Sequence, residues 1–165
     1  MDLVIKVTTP PPSKKEWIEP DPETRRNWTS IFETIVNWFC LSNSIRTNHN
    51  LDIRFPDFTI RFEGKKLRYL APPFRSVASL VFKAYNIATT HLGKYPIKST
   101  PGITIISNPQ IESYEQPRYC IELNKSNTDY KITTGTIFTF HVEDAISIEV
   151  NHNFLSFAII SILEW

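Results

Sequence analysis

The sequence predicts an α/β fold, a sheet flanked by helices, in a single domain over residues 1–165. Three observations carry this. Short runs of alternating, β-branched residues recur along the chain. Two longer stretches instead repeat apolar residues at steps of three and four. Proline and glycine punctuate the joins between them. At 165 residues, with 41% hydrophobic and 13% aromatic content, the chain has enough apolar material for one core.

Leu3 to Val7 alternates and is expected to be a strand, ended by Thr8-Thr9-Pro10-Pro11-Pro12-Ser13, because proline cannot donate to a ladder. Lys14 to Glu19 is a loop. Asp21-Pro22 has the form of an N-cap followed by proline at the first helical position. From there Trp28, Ile31, Phe32, Ile35, Val36, Phe39 and Cys40 fall on one stripe, with Arg25, Arg26, Glu33 and Asn37 off it. This predicts a helix over 22–45, closed by the polar run Thr47-Asn48-His49-Asn50 with His49 at the surface. Such an aromatic stripe is a core or dimer contact rather than a ligand box.

Leu51 to Phe55 is a short strand, broken at Pro56-Asp57. Phe58–Phe62 and Lys66–Leu70 are expected to be strands joined at Glu63-Gly64-Lys65, with Gly64 supplying the positive φ of the turn. Pro72-Pro73 stops the second, and a helix follows over about 73–91. Val77, Leu80, Val81, Ala84 and Ala88 are its apolar face and Gly93 its C-terminal cap. Ser99-Thr100-Pro101-Gly102 is a turn, Gly102–Ser107 a strand, and Asn108–Glu115 a loop or a single helical turn. Tyr119–Leu123 is a strand and 125–129 a polar connection. Thr136–Val142 alternates and is expected to be a central strand, with Ile146–Val150 another. Phe154–Leu163 is almost continuously apolar but shorter than the roughly 20 residues of a membrane span, so it is a buried helix or strand.

Charge is uneven although the whole chain carries only +1. Between Arg54 and Lys83, seven Lys and Arg stand against two Asp and Glu; from Ile111 to Trp165, three stand against eight. A basic segment beside an acidic one gives a one-sided electrostatic face or an ordinary solvated surface. Arg75, near a helix N-terminus, gains nothing from a dipole that favours anions there, so it faces solvent or meets an anionic ligand. With Tyr69 and Phe74 beside it, the basic block has the make-up of an RNA-contacting surface, phosphate neutralisation plus a stacking aromatic. The alternative is a solvated face over buried aromatics.

Other chemistries are weakly supported. Met1-Asp2-Leu3-Val4 lacks the basic and apolar regions of a secretory leader, so a cytoplasmic protein is expected and the sequons at Asn27 and Asn124 carry no meaning. Cys40 and Cys120 then read as two buried thiols rather than nucleophiles or ligands. His141, Glu143, Asp144 and His152 have no partner cysteine and no second histidine at helical spacing, so no metal is expected. The chain contains no dinucleotide fingerprint, Walker loop, zincin helix or nucleophile elbow.

Residues 59–86 resemble the archaeal tRNA pseudouridine N1-methyltransferase family of the SPOUT (trefoil-knot) superfamily. The likeness lies in Ile60-Arg61-Phe62-Glu63-Gly64, Leu67-Arg68-Tyr69-Leu70, Arg75-Ser76 and Leu80 through Lys83-Ala84. It extends to Val4-Ile5-Lys6-Val7, to Trp38–Arg46 and to Ser99-Thr100-Pro101-Gly102-Ile103. The resemblance implies a mostly parallel SPOUT-like sheet, homodimerisation through the apolar C-terminus, and S-adenosyl-L-methionine as cofactor for methyl transfer to T-loop pseudouridine of tRNA. It places cofactor contacts at Phe140, Ser147, Ile148, Glu149, Val150 and Ala158, and the basic block offers tRNA contacts at Arg61, Lys65, Lys66, Arg68, Arg75 and Lys83. The family's Leu-Gly-Asp-His motif falls on Thr139-Phe140-His141 without its glycine, and its Ser-Leu-Gly-Pro motif on Ser147-Ile148-Glu149-Val150, where glutamate replaces glycine. Only five residues separate His141 from Ser147, which implies a shortened or absent knot. The second expectation is a catalytically inactive relative acting as a tRNA-binding or protein-interaction module.

Overall fold

The aromatic stripe becomes the buried side of α1 (Pro22–Phe39), where Trp28, Ile31, Phe32, Ile35, Trp38 and Phe39 are all fully buried. A computed structural model describes residues 2–7, 10–11, 22–42, 44–108, 118–123, 129–135 and 146–151, the last three segments as strand backbone. The expected strand over 136–142 and the apolar segment 154–163 lie outside the described residues.

Among the described residues, eight strands form one sheet. In chain order they are β1 (Asp2–Lys6), β2 (Asn50–Arg54), β3 (Phe58–Glu63), β4 (Ile97–Thr100), β5 (Ile103–Ser107), β6 (Arg118–Leu123), β7 (Asp129–Gly135) and β8 (Ile146–Asn151). A second helix, α2 (Phe74–Thr90), connects β3 to β4. The sheet order is β4-β5-β3-β2-β1-β6-β7-β8. Only the pairings of β1 with β2 and with β6 are parallel. The other five are antiparallel, so the sheet is mixed rather than mostly parallel. Connection length is the cause. The links β2–β3, β4–β5 and β6–β7 are far shorter than the dozen or more residues of a parallel crossover, so they join antiparallel neighbours. α1 and α2 instead provide true crossovers.

Alternation along the strands gives the sheet two unlike faces. Leu3 and Ile5, Leu51 and Ile53, Ile60 and Phe62, and Ile103 and Ile105 build one apolar core with the helix residues Val77, Val81, Ala84 and Ala88. Aromatic rings tie helices to sheet: Trp28 stacks on Phe55 at 6.3 Å, Phe39 packs on Phe62 at 6.3 Å, and Phe55 and Phe58 meet Tyr85 at 5.1 and 5.6 Å. The indole of Trp28 donates to the carbonyl of Pro10 at 3.0 Å, which joins the segment after β1 to α1. On the opposite face Asp52 and Arg61 sit across from each other in the β2–β3 register. They form a two-pronged ion pair at 2.9 Å for each hydrogen bond. Asn108 closes the far end of this hairpin, accepting from Thr59 at 2.8 Å and donating to the carbonyls of Phe55 and Pro56.

Three expectations need correction. α1 ends at Phe39, not at 45. Its stripe stops at Cys40, and the chain turns back there: Leu41 N–H donates to Ser44 and Arg46 N–H to Phe39. The Arg46 guanidinium caps the freed carbonyls of Asn37 and Trp38 at 2.7 and 3.2 Å. His49 is not at the surface; it is buried edge-on against Trp38, ring centroids 4.9 Å apart, with Nδ1 2.7 Å from Asn48 Oδ1. Residues 66–70 form no strand. Leu67 and Leu70 are the buried pair, three apart, and Lys65, Lys66, Arg68 and Tyr69 are exposed. That spacing is a turn's, not the period of two a strand needs.

A basic loop at one end of the sheet

β1, β2 and β6 start at the same end of the sheet, and β3 finishes there. The ten residues 64–73 leave β3 at this end and lead into α2. Two glycines fix the loop. Gly64 donates its N–H to the carbonyl of His49 at 2.9 Å. Any Cβ on Gly64 would run into the carbonyls of Arg46 and His49, so close approach, and not positive φ, is why glycine stands there. Gly102, at the β4–β5 turn with φ +83°, accepts from Glu63 N–H at 2.8 Å and lies against the backbone of Lys66 and Leu67. Lys66 and Leu67 N–H groups both donate to the Glu63 carbonyl, closing a tight turn. Ser76 Oγ, in the first turn of α2, lies 3.4 Å from the Tyr69 carbonyl and links helix to loop.

Of the six expected RNA contacts, this end collects four. Lys65, Lys66 and Arg68 are exposed on the loop, and Arg75 is exposed on the first turn of α2. That first turn holds no acidic residue and no side-chain cap, so the positive end of the helix adds to the arginine's charge. Lys66 is held by Glu63, its ammonium 2.8 and 3.0 Å from the two carboxylate oxygens. Arg68 touches only the Leu67 carbonyl, at 3.4 Å, among the described residues. Lys65 and Arg75 have no acidic partner among the described residues. Arg61 differs: it lies on β3, engaged with Asp52, whose carboxylate is nearly buried. Lys83 is exposed two turns further along α2, about 12 Å from Arg75 at 1.5 Å per residue.

The expected cofactor residues fall elsewhere. Ser147, Ile148, Glu149 and Val150 belong to β8, the last strand of the sheet order, five strand positions from β3. Phe140 and Ala158 lie outside the described residues, as do His141, Glu143, Asp144 and His152. Residues 146–151 pair with β7 residue by residue, from Thr134 opposite Ile146 to Asp129 opposite Asn151. This ladder contains no glycine, the residue through which the resemblance brings the backbone close to the cofactor. Among the described residues no group of three His, Cys, Asp or Glu could hold a metal. No helix among them is long and apolar enough to cross a membrane. Cys40 is half-buried beside the Arg46 turn; burial pushes its thiol up, partly offset by the arginine's charge, which leaves it a poor nucleophile.

Two features escaped the sequence reading. Arg46 stood only at the end of the stretch Trp38–Arg46, and its capping role needs the chain reversal that brings it back. The acids Asp52 and Glu63, which engage Arg61 and Lys66, had a partial signal in the strand register and in the three-residue spacing.

Fold and loop together define an α/β fold with a basic, aromatic-bearing loop at one sheet end. Over 68 residues the chain is 40% identical to the tRNA (pseudouridine(54)-N(1))-methyltransferase of Haloferax volcanii, a match covering 41% of this chain and 34% of that protein. It is 33% identical over 72 residues to the enzyme of the same name from Haloarcula marismortui, covering 43% of this chain and 36% of the relative. The match thus spans about a third of the length of these curated relatives. No family model matches the chain.

Proposed function

We propose that this protein is a tRNA (pseudouridine-N1)-methyltransferase-like protein of the SPOUT class, and that loop 64–73 with the first turn of α2 is its tRNA-contacting surface. The similarity to two proteins named as tRNA pseudouridine methyltransferases carries this reading. The unpaired cations supply its physical content. Lys65, Arg68 and Arg75 displace counterions from phosphates, while the glycine contacts and the buried Leu67 and Leu70 hold them in fixed geometry. S-adenosyl-L-methionine is the methyl donor the relatives' name implies; it supplies an electrophilic methyl group when bound. The chain's own contribution in the described region is to orient RNA.

Two measurements test the reading. A gel shift with T-arm RNA is expected to show binding that weakens when Arg68, Arg75 and Lys83 are changed to Ala; unchanged affinity counts against the basic surface. Calorimetry with S-adenosyl-L-methionine separates the two functional classes. Low-micromolar binding supports an enzyme, whereas none at millimolar cofactor leaves a tRNA-binding relative without methyl transfer.

A further inference from the structure

Tyr69 is 66% exposed, the most exposed of the large apolar or aromatic side chains among the described residues. Its ring makes no aromatic contact with a described residue, although aromatics elsewhere in the domain pack in chains of partners. The backbone around it explains why the ring cannot fold in. Leu67 and Leu70 are anchored on either side at 3% and 7% exposure, and Pro72-Pro73 stiffens the chain between Leu70 and α2. With both leucines seated in the core, the positions between them are left at the surface. On the same loop, and on the helix turn that Ser76 links to the Tyr69 carbonyl, stand Lys65, Arg68 and Arg75, exposed and without an acidic partner among the described residues.

An exposed ring amid unpaired cations matches a nucleotide whose base is unstacked and whose phosphates are near. A paired base in an A-form helix offers no face to such a ring, whereas a base in a hairpin loop does. We propose that Tyr69 is a stacking platform for one unpaired base of an RNA loop, with Arg68 and Lys65 on the flanking phosphates. This rests on the tRNA-binding reading above and adds to it the residue that holds an unpaired base. The platform works through the ring face, so the hydroxyl is dispensable. It carries no charge, so it does not contribute to salt dependence.

The test uses the full chain, a fluorescently labelled T-arm hairpin and a blunt RNA duplex of equal length, with anisotropy read across a salt series. Tyr69→Ala is expected to weaken hairpin binding about 5- to 150-fold. Duplex binding and the salt slope should stay unchanged, and Tyr69→Phe should stay within about twofold of wild type. Because the side chain is exposed, the urea midpoint of both variants should match wild type, which excludes loss of folding. Equal hairpin affinity for Tyr69→Ala and wild type overturns the stacking role while leaving the basic surface intact. Parallel loss on hairpin and duplex also overturns it. If wild type binds neither RNA, the tRNA-binding reading fails and the platform with it.

Discussion

Gly102→Ala probes how the basic loop is held, and its magnitude can be worked out from the structure. Gly102 has φ +83°, and a Cβ there would lie 2.5 Å from the Leu67 nitrogen, 2.6 Å from its Cα and 2.7 Å from the Lys66 carbonyl carbon. The left-handed conformation costs an alanine about 1–2 kcal/mol. The reduced freedom of the unfolded chain returns about 0.4–1 of that. All three atoms are backbone, so no flexible side chain can swing aside, and forcing room adds about 1–3 kcal/mol. The expected loss is therefore about 1–5 kcal/mol. Gly93 is the internal control, with φ +77° but nothing within 4 Å of the added carbon. Gly93→Ala should lose only about 1 kcal/mol. Urea unfolding of the two variants and wild type measures both. Equal losses would refute close packing of Gly102 against the loop. A loss confined to Gly102→Ala should come with weaker T-arm RNA binding, since the displaced backbone carries Lys65 and Arg68.

Three further outcomes are expected. Arg61→Ala should lower stability by about 2–4 kcal/mol, because it strands the nearly buried Asp52 carboxylate, yet leave the salt slope of RNA binding unchanged; urea unfolding and anisotropy report the two effects. Burial raises the Cys40 thiol above 9.0, so the folded state keeps that proton longer than the unfolded chain. The resulting stability is full below about pH 9 and is lost as pH rises through the folded value. Burial also raises the Tyr85 and Tyr95 phenols above 10.0, so wild type should lose stability from about pH 9 and Cys40→Ala only from about pH 10 in urea midpoints measured between pH 8 and 11. Iodoacetamide should label Cys40 of native protein at pH 8 more slowly than a free thiol, by mass spectrometry, and rapid labelling would contradict the burial.

The helices were legible because their signal is repeated over many residues. Trp28, Ile31, Phe32 and Ile35 in α1, and Val77, Val81, Ala84 and Ala88 in α2, lie on the stripes the spacing marked, all fully buried. The short strands were legible where alternation met β-branched residues, as in β2, β3 and β5. β4 was missed because Ile97–Thr100 is four residues long, too few to show a period. β7 was missed as well: its first residue, Asp129, looks like the end of a polar connection, and the alternation through Tyr130, Ile132 and Thr134 is weakly apolar. The direction of the sheet could not be read from residue types at all, because connection length sets it. Within the basic block, charge was visible but pairing was not. Asp52 is nine residues from Arg61 and reaches it only through the hairpin register. Tyr69 was visible as an aromatic beside basic residues; its exposure depends on anchors that only the folded loop shows.

The central claim, that the unpaired cations of loop 64–73 and α2 contact tRNA phosphates, is tested most directly by salt dependence. Binding of T-arm RNA to wild type and to the Lys65→Ala, Arg68→Ala, Arg75→Ala triple variant should be followed by anisotropy from 50 to 300 mM salt. At about 0.7 counterions released per phosphate contact on single strands, losing three contacts should flatten the slope of log K against log salt by about 2. Identical slopes for the two proteins, with both folded, would contradict the assignment of this loop as the RNA-contacting surface.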